Sequence, residues 1–245
     1  MKNLRKRQKE LNVIGVLRAD VDNLGQTFVA GFAGKYATLS RTAALSRQLS
    51  IFFKYYIRSI LKNGEYHIDG EKKLTERNAT IVYSGGDDVF IVGAWNEVIE
   101  LSIDLQEKFK KYTQGTLSIS SGIGIYECTY PIGAIANETG EMEAESKRMP
   151  EKDSVTLMDD GETHLINELE ICDGTYRWEE LYKSVLGEKY DVIQDFLGES
   201  DERGMSFLYR MLELIRNQKE KINFARFVYL LSRLEPDKEG EKKEK

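Results

Sequence analysis

Between Val13 and Tyr126 the hydrophobic period alternates between that of a strand and that of a helix, and this order limits the fold more than any single motif. "VIGVLRAD", Val13 to Asp20, is a β-rich run that ends in an acid and passes into a turn, "VDNLG". From Ser40 to Lys62 the apolar residues Leu45, Leu49, Phe52, Tyr56 and Ile60 recur at steps of three and four, which predicts a long amphipathic helix with a core-facing stripe. Ala79 to Ser84 and Val89 to Ala94 read as two strands joined through Gly85 and Gly86, as a tight hairpin prefers. A second helix is expected from about Asn96, its N-cap, to Tyr112, with Val98, Leu101, Leu105 and Phe109 facing inward. "LSISSGIGIY", Leu117 to Tyr126, alternates as a half-buried strand does. The order β, α, β, β, α, β is the ferredoxin-like arrangement, an α+β fold with an antiparallel sheet and both helices on one face.

A further helix, about Ile132 to Met149, and a strand, Ser154 to Met158, extend this unit. After Gly161 the strand signal disappears and the apolar periodicity turns helical, through Trp178, Leu181 and Val185, then Phe207, Met211, Leu214 and Ile215, then Phe224, Phe227 and Leu231. The expected division is a basic lead segment at 1–12, a ferredoxin-like domain at 13–160, a helical domain at 161–236 and a charged tail at 237–245. The basic "RKRQK" so close to Met1 suggests a chain cut from something longer. No apolar run approaches the ~20 residues that span a bilayer and no secretory h-region is present, so a soluble cytoplasmic protein without membrane contact is expected. The two cysteines, Cys128 and Cys172, form no metal-binding pattern and read as buried free thiols, and His67 as a lone surface histidine. With a net charge of -6 the chain is no basic glove for nucleic acid, so any phosphate contact must come from local groups.

In this topology the third strand lies between the first and second, so the end of the first strand meets the start of the third. Those points carry Asp20 on one side and Asp87 with Asp88 on the other. Two carboxylates ~4 Å apart repel by about 4 kcal/mol at an effective dielectric near 20, a penalty that a divalent cation reverses. Hard oxygen ligands of this kind suit Mg²⁺ or Mn²⁺, which share phosphate oxygens with a substrate. A Gly-Gly-Asp turn is ordinary hairpin chemistry on its own; the second acid cluster, "RADVD", turns the reading toward a metal site. Asp20 is the expected ligand, and Asp22, two residues on, the less certain one.

Gly85 and Gly86 permit positive φ and leave room for a triphosphate near the backbone. Lys147 and Lys152 flank the turn before the last strand, where a triphosphate site needs cations. Ser84 and Asn23 sit beside the acids and either hydrogen-bond ribose or base or cap turns. "GFAGKY", Gly31 to Tyr36, lacks the Ser or Thr and the glycine spacing of a phosphate loop and is read as a flexible loop.

"LRADVDNLG", "TLSRTAALSRQLSIFFKYYI", "IVYSGGDDVFIVGAW" and "SISSGIGI" together resemble the large subunit of type III-A CRISPR effector complexes, over most of residues 13 to 158. The resemblance implies that subunit's second palm domain followed by its C-terminal helical domain. It places Asp87 and Asp88 in the family's acidic pair and Asp20 at its first-strand acid, holding Mg²⁺ or Mn²⁺ with the backbone carbonyl of Val21 as a further candidate ligand. It implies ATP as substrate and cyclic oligoadenylates as products, made when the guide RNA captures a target transcript. One ion would acidify a ribose hydroxyl and the other neutralise the leaving pyrophosphate. Implied partners are the other subunits of the complex, guide and target RNA through it, and a first palm domain, without which one palm is expected not to cyclise. The family's His-Asp nuclease domain, first palm and zinc element are not visible: the sequence shows no His-Asp pair, no cysteine cluster and no second ferredoxin-like unit. Two other readings compete. A diguanylate cyclase using GTP shares the hairpin but expects Glu-Phe where this chain has Asp88-Val89. A non-catalytic scaffold module would not need the complete acid set.

Overall fold

The computed structural model describes residues 12–65, 76–159, 161–198, 205–217 and 221–232. The basic lead segment, His67 and the charged tail lie outside the described residues. The chain divides into two compact units, Met1–Gly187 and Glu188–Lys245.

The first unit is built on a six-stranded sheet of order β2-β3-β1-β4-β5-β8. Its strands are β1 (Val13–Val21), β2 (Ala79–Ser84), β3 (Asp88–Gly93), β4 (Ile119–Glu127), β5 (Ser154–Leu157) and β8 (Thr175–Arg177). β1 is antiparallel to both β3 and β4, as the ferredoxin-like order requires; β5 adds parallel to β4, and β8 antiparallel to β5. A short helix α1 (Leu24–Ala30) follows β1, and a 3₁₀ turn at Gly34–Tyr36 occupies the segment read as a loop. Helix α2 starts at Leu39–Ile51, with the Thr38 hydroxyl accepting from the Arg41 N–H, loosens into a π-wound stretch at Phe52–Tyr56 and resumes at Ile57–Lys62. Helix α3 (Trp95–Tyr112) and helix α4 (Ile132–Ser146) complete the main layers.

Period-two alternation along β1 sorts the layers. Leu17, Ala19 and Val21 face one side and pack with Val89, Ile91, Ile119 and Ile123 against Leu49, Phe52, Phe53 and Ile57 of α2 and Val98, Leu101, Leu105 and Phe109 of α3. This is the core that the two helical stripes predict. Arg18 and Asp20 face the other side, which α4 covers closely: a Cβ on Gly122 would sit 2.5 Å from the Thr139 carbonyl, so glycine lets the helix settle on β4.

Four expectations are corrected. Helix α3 begins at Trp95 with Ala94 in the capping position, not Asn96, because the Ala94 N–H is already held by the Asn78 carbonyl at 2.9 Å where the chain leaves β3. Strands do not stop at Gly161: a hairpin of β6 (Thr163–Ile166) and β7 (Leu169–Cys172) precedes β8. The first unit therefore runs past the expected boundary near residue 160, to Gly187, with Trp178 and Leu181 buried in its core and the Trp178 indole N–H on the Ile119 carbonyl at 2.8 Å. Cys128 is exposed, while Cys172 is buried as expected. Across β6 and β7, His164 Nδ1 also lies 2.8 Å from Asp173, an exposed pair that the sequence reading passed over. Helical turns at Trp178–Glu180 and Leu181–Lys189 follow β8 in the chain.

The second unit contributes helices Tyr190–Gly198, Met205–Arg216 and Lys221–Ser232. Within it the last two helices pack together and leave Tyr209, Phe224 and Tyr229 more than half exposed. Among the described residues no helix is long and apolar enough to cross a membrane.

Candidate active site

The register places Asp20 of β1 directly opposite Asp88 of β3 on one side and Ser120 of β4 on the other. Directly opposed residues share a face, with Cβ atoms about 4.5–5.5 Å apart, so this row lies on the side that α4 covers. The Val21 N–H donates to the Asp87 carbonyl at 3.2 Å and ties the hairpin turn to the end of β1. Asp87 thereby joins the pair. Burial first, and then the negative charges of Asp20 and Asp88, raise its pKa above the ordinary carboxylate value, against the pull of the Lys147 ammonium. The three acids predicted from separate parts of the sequence are brought together.

Lys147 follows the last turn of α4 and donates to Asp20 and, at 2.6 Å, to Glu143 one helical turn back. Glu143 also holds Arg18 at 2.9 Å, so Arg18, Glu143, Lys147 and Asp20 form a chain of alternating charge across the sheet face. Burial is the largest influence on Lys147 and opposes its charge, but the bonds to Asp20 and Glu143 outweigh it and leave its pKa above the ordinary value.

The hairpin glycines do not act through positive φ, since neither Gly85 nor Gly86 adopts it. The reason for Gly85 is steric. A Cβ there would sit 2.3 Å from the Tyr83 hydroxyl and 2.4 Å from an Asp88 carboxylate oxygen, while one on Gly86 would meet nothing within 4 Å. Tyr83 comes to the acid face because the register shifts between Ile81 and Tyr83, a bulge that leaves it opposite Phe90. The charge of Asp88 and the hydrogen bond between them raise the Tyr83 pKa. Sequence reasoning missed Tyr83, whose direction depends on that bulge, and Glu143, which its position four residues before Lys147 on a helix would have shown.

The other predicted residues fall elsewhere. Ser84 is paired with Val89, hence on the α2–α3 face, and its hydroxyl donates to the Phe53 carbonyl at 2.5 Å; it does not join the acid row. Asp22 is 2% exposed and accepts from the Ser118 hydroxyl at 2.7 Å and the Asp153 N–H at 3.1 Å, a buried brace. Asn23 has φ 53° and its side-chain oxygen accepts from Lys152 at 2.8 Å. Lys152 lies in a run of three left-handed residues, Glu151, Lys152 and Asp153. Non-glycine residues persist in that conformation only where their surroundings over-determine them, as the Asp22 and Asn23 bonds do here.

Among the described residues no three His, Cys, Asp or Glu side chains form a ready-made metal cage. Asp20, Asp87 and Asp88 are each half-buried instead, and the Ser120 hydroxyl beside Asp20 is buried without a hydrogen-bond partner. Mg²⁺ is commonly held by one or two carboxylates with the remaining positions left to water and phosphate, so the donor set fits a divalent ion.

Comparison with known proteins agrees with this architecture. Residues 13–156 match the model of the Cas10/Cmr2 second palm domain, and residues 194–245 that of the second helical domain of the CRISPR RNA silencing complex Cmr2 subunit. The subtype III-A CRISPR system single-strand-specific deoxyribonuclease Cas10/Csm1 of Mycobacterium tuberculosis (strain ATCC 25618 / H37Rv) is 44% identical over 234 residues, 94% of this chain and 27% of the relative. The chain thus spans about a quarter of that relative's length. Among solved structures, a Csm1–Csm4 cassette in complex with one ATP is 26% identical with a TM-score of 0.64, over 94% of this chain and 33% of that one. A Csm1–Csm4 cassette in complex with pppApApA is 25% identical with a TM-score of 0.65, over 91% of this chain and 32% of that one. With its acid-bearing sheet and its helical unit both accounted for, the chain belongs to the Cas10/Cmr2 family of type III CRISPR systems.

Proposed function

We propose that this chain is a nucleotidyltransferase palm that binds ATP with divalent cations and, completed by a first palm domain, makes cyclic oligoadenylate messengers in antiviral defence. It would do so inside a type III complex whose guide RNA has captured a target. The observation that carries the reading is the pairing of Asp20 with Asp88 across β1 and β3, with Asp87 tied beside them. The similar cassettes hold ATP and a linear triadenylate, which favours adenine nucleotides over GTP.

Asp20, Asp87 and Asp88 would hold Mg²⁺ or Mn²⁺, with the Val21 carbonyl next to them as a further oxygen. Bound there, such ions supply an acidified ribose hydroxyl and offset charge on the departing pyrophosphate. Lys147 neutralises Asp20 until a cation does, and its ammonium then serves phosphate oxygens beside Glu143. Tyr83 fixes the Asp88 carboxylate, and Lys152, braced through Asn23 and Asp22, offers the second phosphate contact. Gly86, open on the side a Cβ would take, leaves the hairpin backbone accessible to the triphosphate.

Incubation with ATP and Mg²⁺ or Mn²⁺, with and without an added first palm domain, followed by mass analysis, tests the reading. Oligoadenylates are expected with the added palm and none from Asp87→Ala with Asp88→Ala. Equal product from that double variant would reject it.

A further inference from the structure

Residues 23–64 contain no acid, where the overall content of 41 Asp and Glu in 245 residues would put about seven. The same stretch keeps six cations, Lys35, Arg41, Arg47, Lys54, Arg58 and Lys62. The last four lie on α2, Lys54 within its π-wound stretch, at spacings of seven, four and four, close to the repeat of one helix face, and all four are exposed. At 1.5 Å per residue they extend over about 22 Å. None of the four forms an ion pair among the described residues. Elsewhere in the unit Arg18, Arg77, Lys108, Lys110, Lys111, Lys147, Arg148, Arg177 and Lys183 all meet an acidic side chain, while Lys152 is held by Asn23. Between the free cations stands Tyr55, 68% exposed, three residues before Arg58 and seven before Lys62.

We infer that this face of α2 binds single-stranded RNA, its cations taking backbone phosphates and Tyr55 stacking on a base. Unpaired cations beside an exposed aromatic ring are the pattern of a single-strand groove, since a ring can stack only on a base that is not already in a duplex. A protein partner is disfavoured because the cores of protein interfaces are depleted in lysine and other charges. The choice of RNA over DNA rests on the RNA-guided assembly proposed above. Since α2 packs on the sheet face opposite the acid row, RNA held there leaves the nucleotide site open.

Fluorescence anisotropy of the full chain with a labelled, unstructured 20-nucleotide RNA, run across a salt series, tests this. Lys54→Glu with Arg58→Glu should weaken binding at least tenfold and lower the salt slope by about 1.4, at roughly 0.7 per phosphate contact. Tyr55→Ala should weaken it about fivefold or more with the slope unchanged. Lys54→Arg with Arg58→Lys should bind as the parent does, and all these variants should keep the parent's circular dichroism. The inference is overturned if the charge reversals bind as the parent, or if polyglutamate or DNA of the same sequence binds as tightly. ATP binding measured in parallel separates the two readings. Lost RNA binding with ATP binding retained in the parent chain would sink this inference alone, and RNA binding without adenylate chemistry would sink the proposed function alone.

Discussion

The two faces of the central sheet, one residue apart along β1, do opposite things. On one face Leu17, Ala19 and Val21 are at most 4% exposed and join the apolar core under α2 and α3. On the other, Arg18 and Asp20 enter a row of charges with Asp88, Glu143 and Lys147. Period-two geometry makes the division possible. Burial on the first face holds the strands in register, and that register forces like charges together on the second. A substitution should therefore damage either folding or chemistry according to the face it touches.

The largest separation is expected from Asp87→Ala with Asp88→Ala, which should lower nucleotidyl transfer by roughly a hundredfold or more, the scale of losing metal stabilisation of charge. Its thermal midpoint should stay level or rise, because crowded carboxylates are removed; a large fall would show that the acids hold the fold. The converse is Leu17→Ala, which should cost 2–5 kcal/mol in urea denaturation as a large-to-small change in a closed core, while the remaining folded protein keeps its ATP affinity. Gly85→Ala probes the boundary between the faces. Its added methyl displaces Tyr83 or Asp88, so activity should fall about tenfold, equivalent to about 1.4 kcal/mol, with little change in melting.

The smallest effect is one of pH. Burial, then Asp20 and Asp88, raise the Asp87 pKa in the folded chain above its ordinary 3.8. The folded state therefore holds that proton more readily than the unfolded chain, and stability is lost as pH rises from the ordinary value through the raised one. Asp87→Asn removes this cost. It should be more stable than the parent at pH 7, by at most about 1 kcal/mol, the scale of an exposed charge pair, and equal to it at pH 3.

The apolar face was the legible one. Leu49, Phe52 and Ile60 of α2 and Val98, Leu101, Leu105 and Phe109 of α3 are buried as their spacing requires, because a helical stripe writes its own direction into the sequence. Tyr56, in the same stripe, is half exposed where the helix is π-wound and the rotation per residue changes. The meeting of Asp20 with Asp87 and Asp88 followed from topology alone. What lay hidden depended on backbone detail. The bulge before Tyr83 sends that ring to the acids and Ser84 to the other face, and no residue type marks it. Strands β6, β7 and β8 are three or four residues long, too short for an alternating period to show. Asp22 resembles Asp20 in sequence, but the chain turns between them and buries it under Asp153.

The most direct test is a titration of Mn²⁺ in the presence of ATP, followed by electron paramagnetic resonance, on the parent, Asp20→Asn, Asp88→Asn and the double variant. If residues 68 positions apart bind the same ion, each single change should weaken binding tenfold or more and the double should add little to either. Parent-like Mn²⁺ affinity in Asp20→Asn, or losses that simply add, would contradict a shared site.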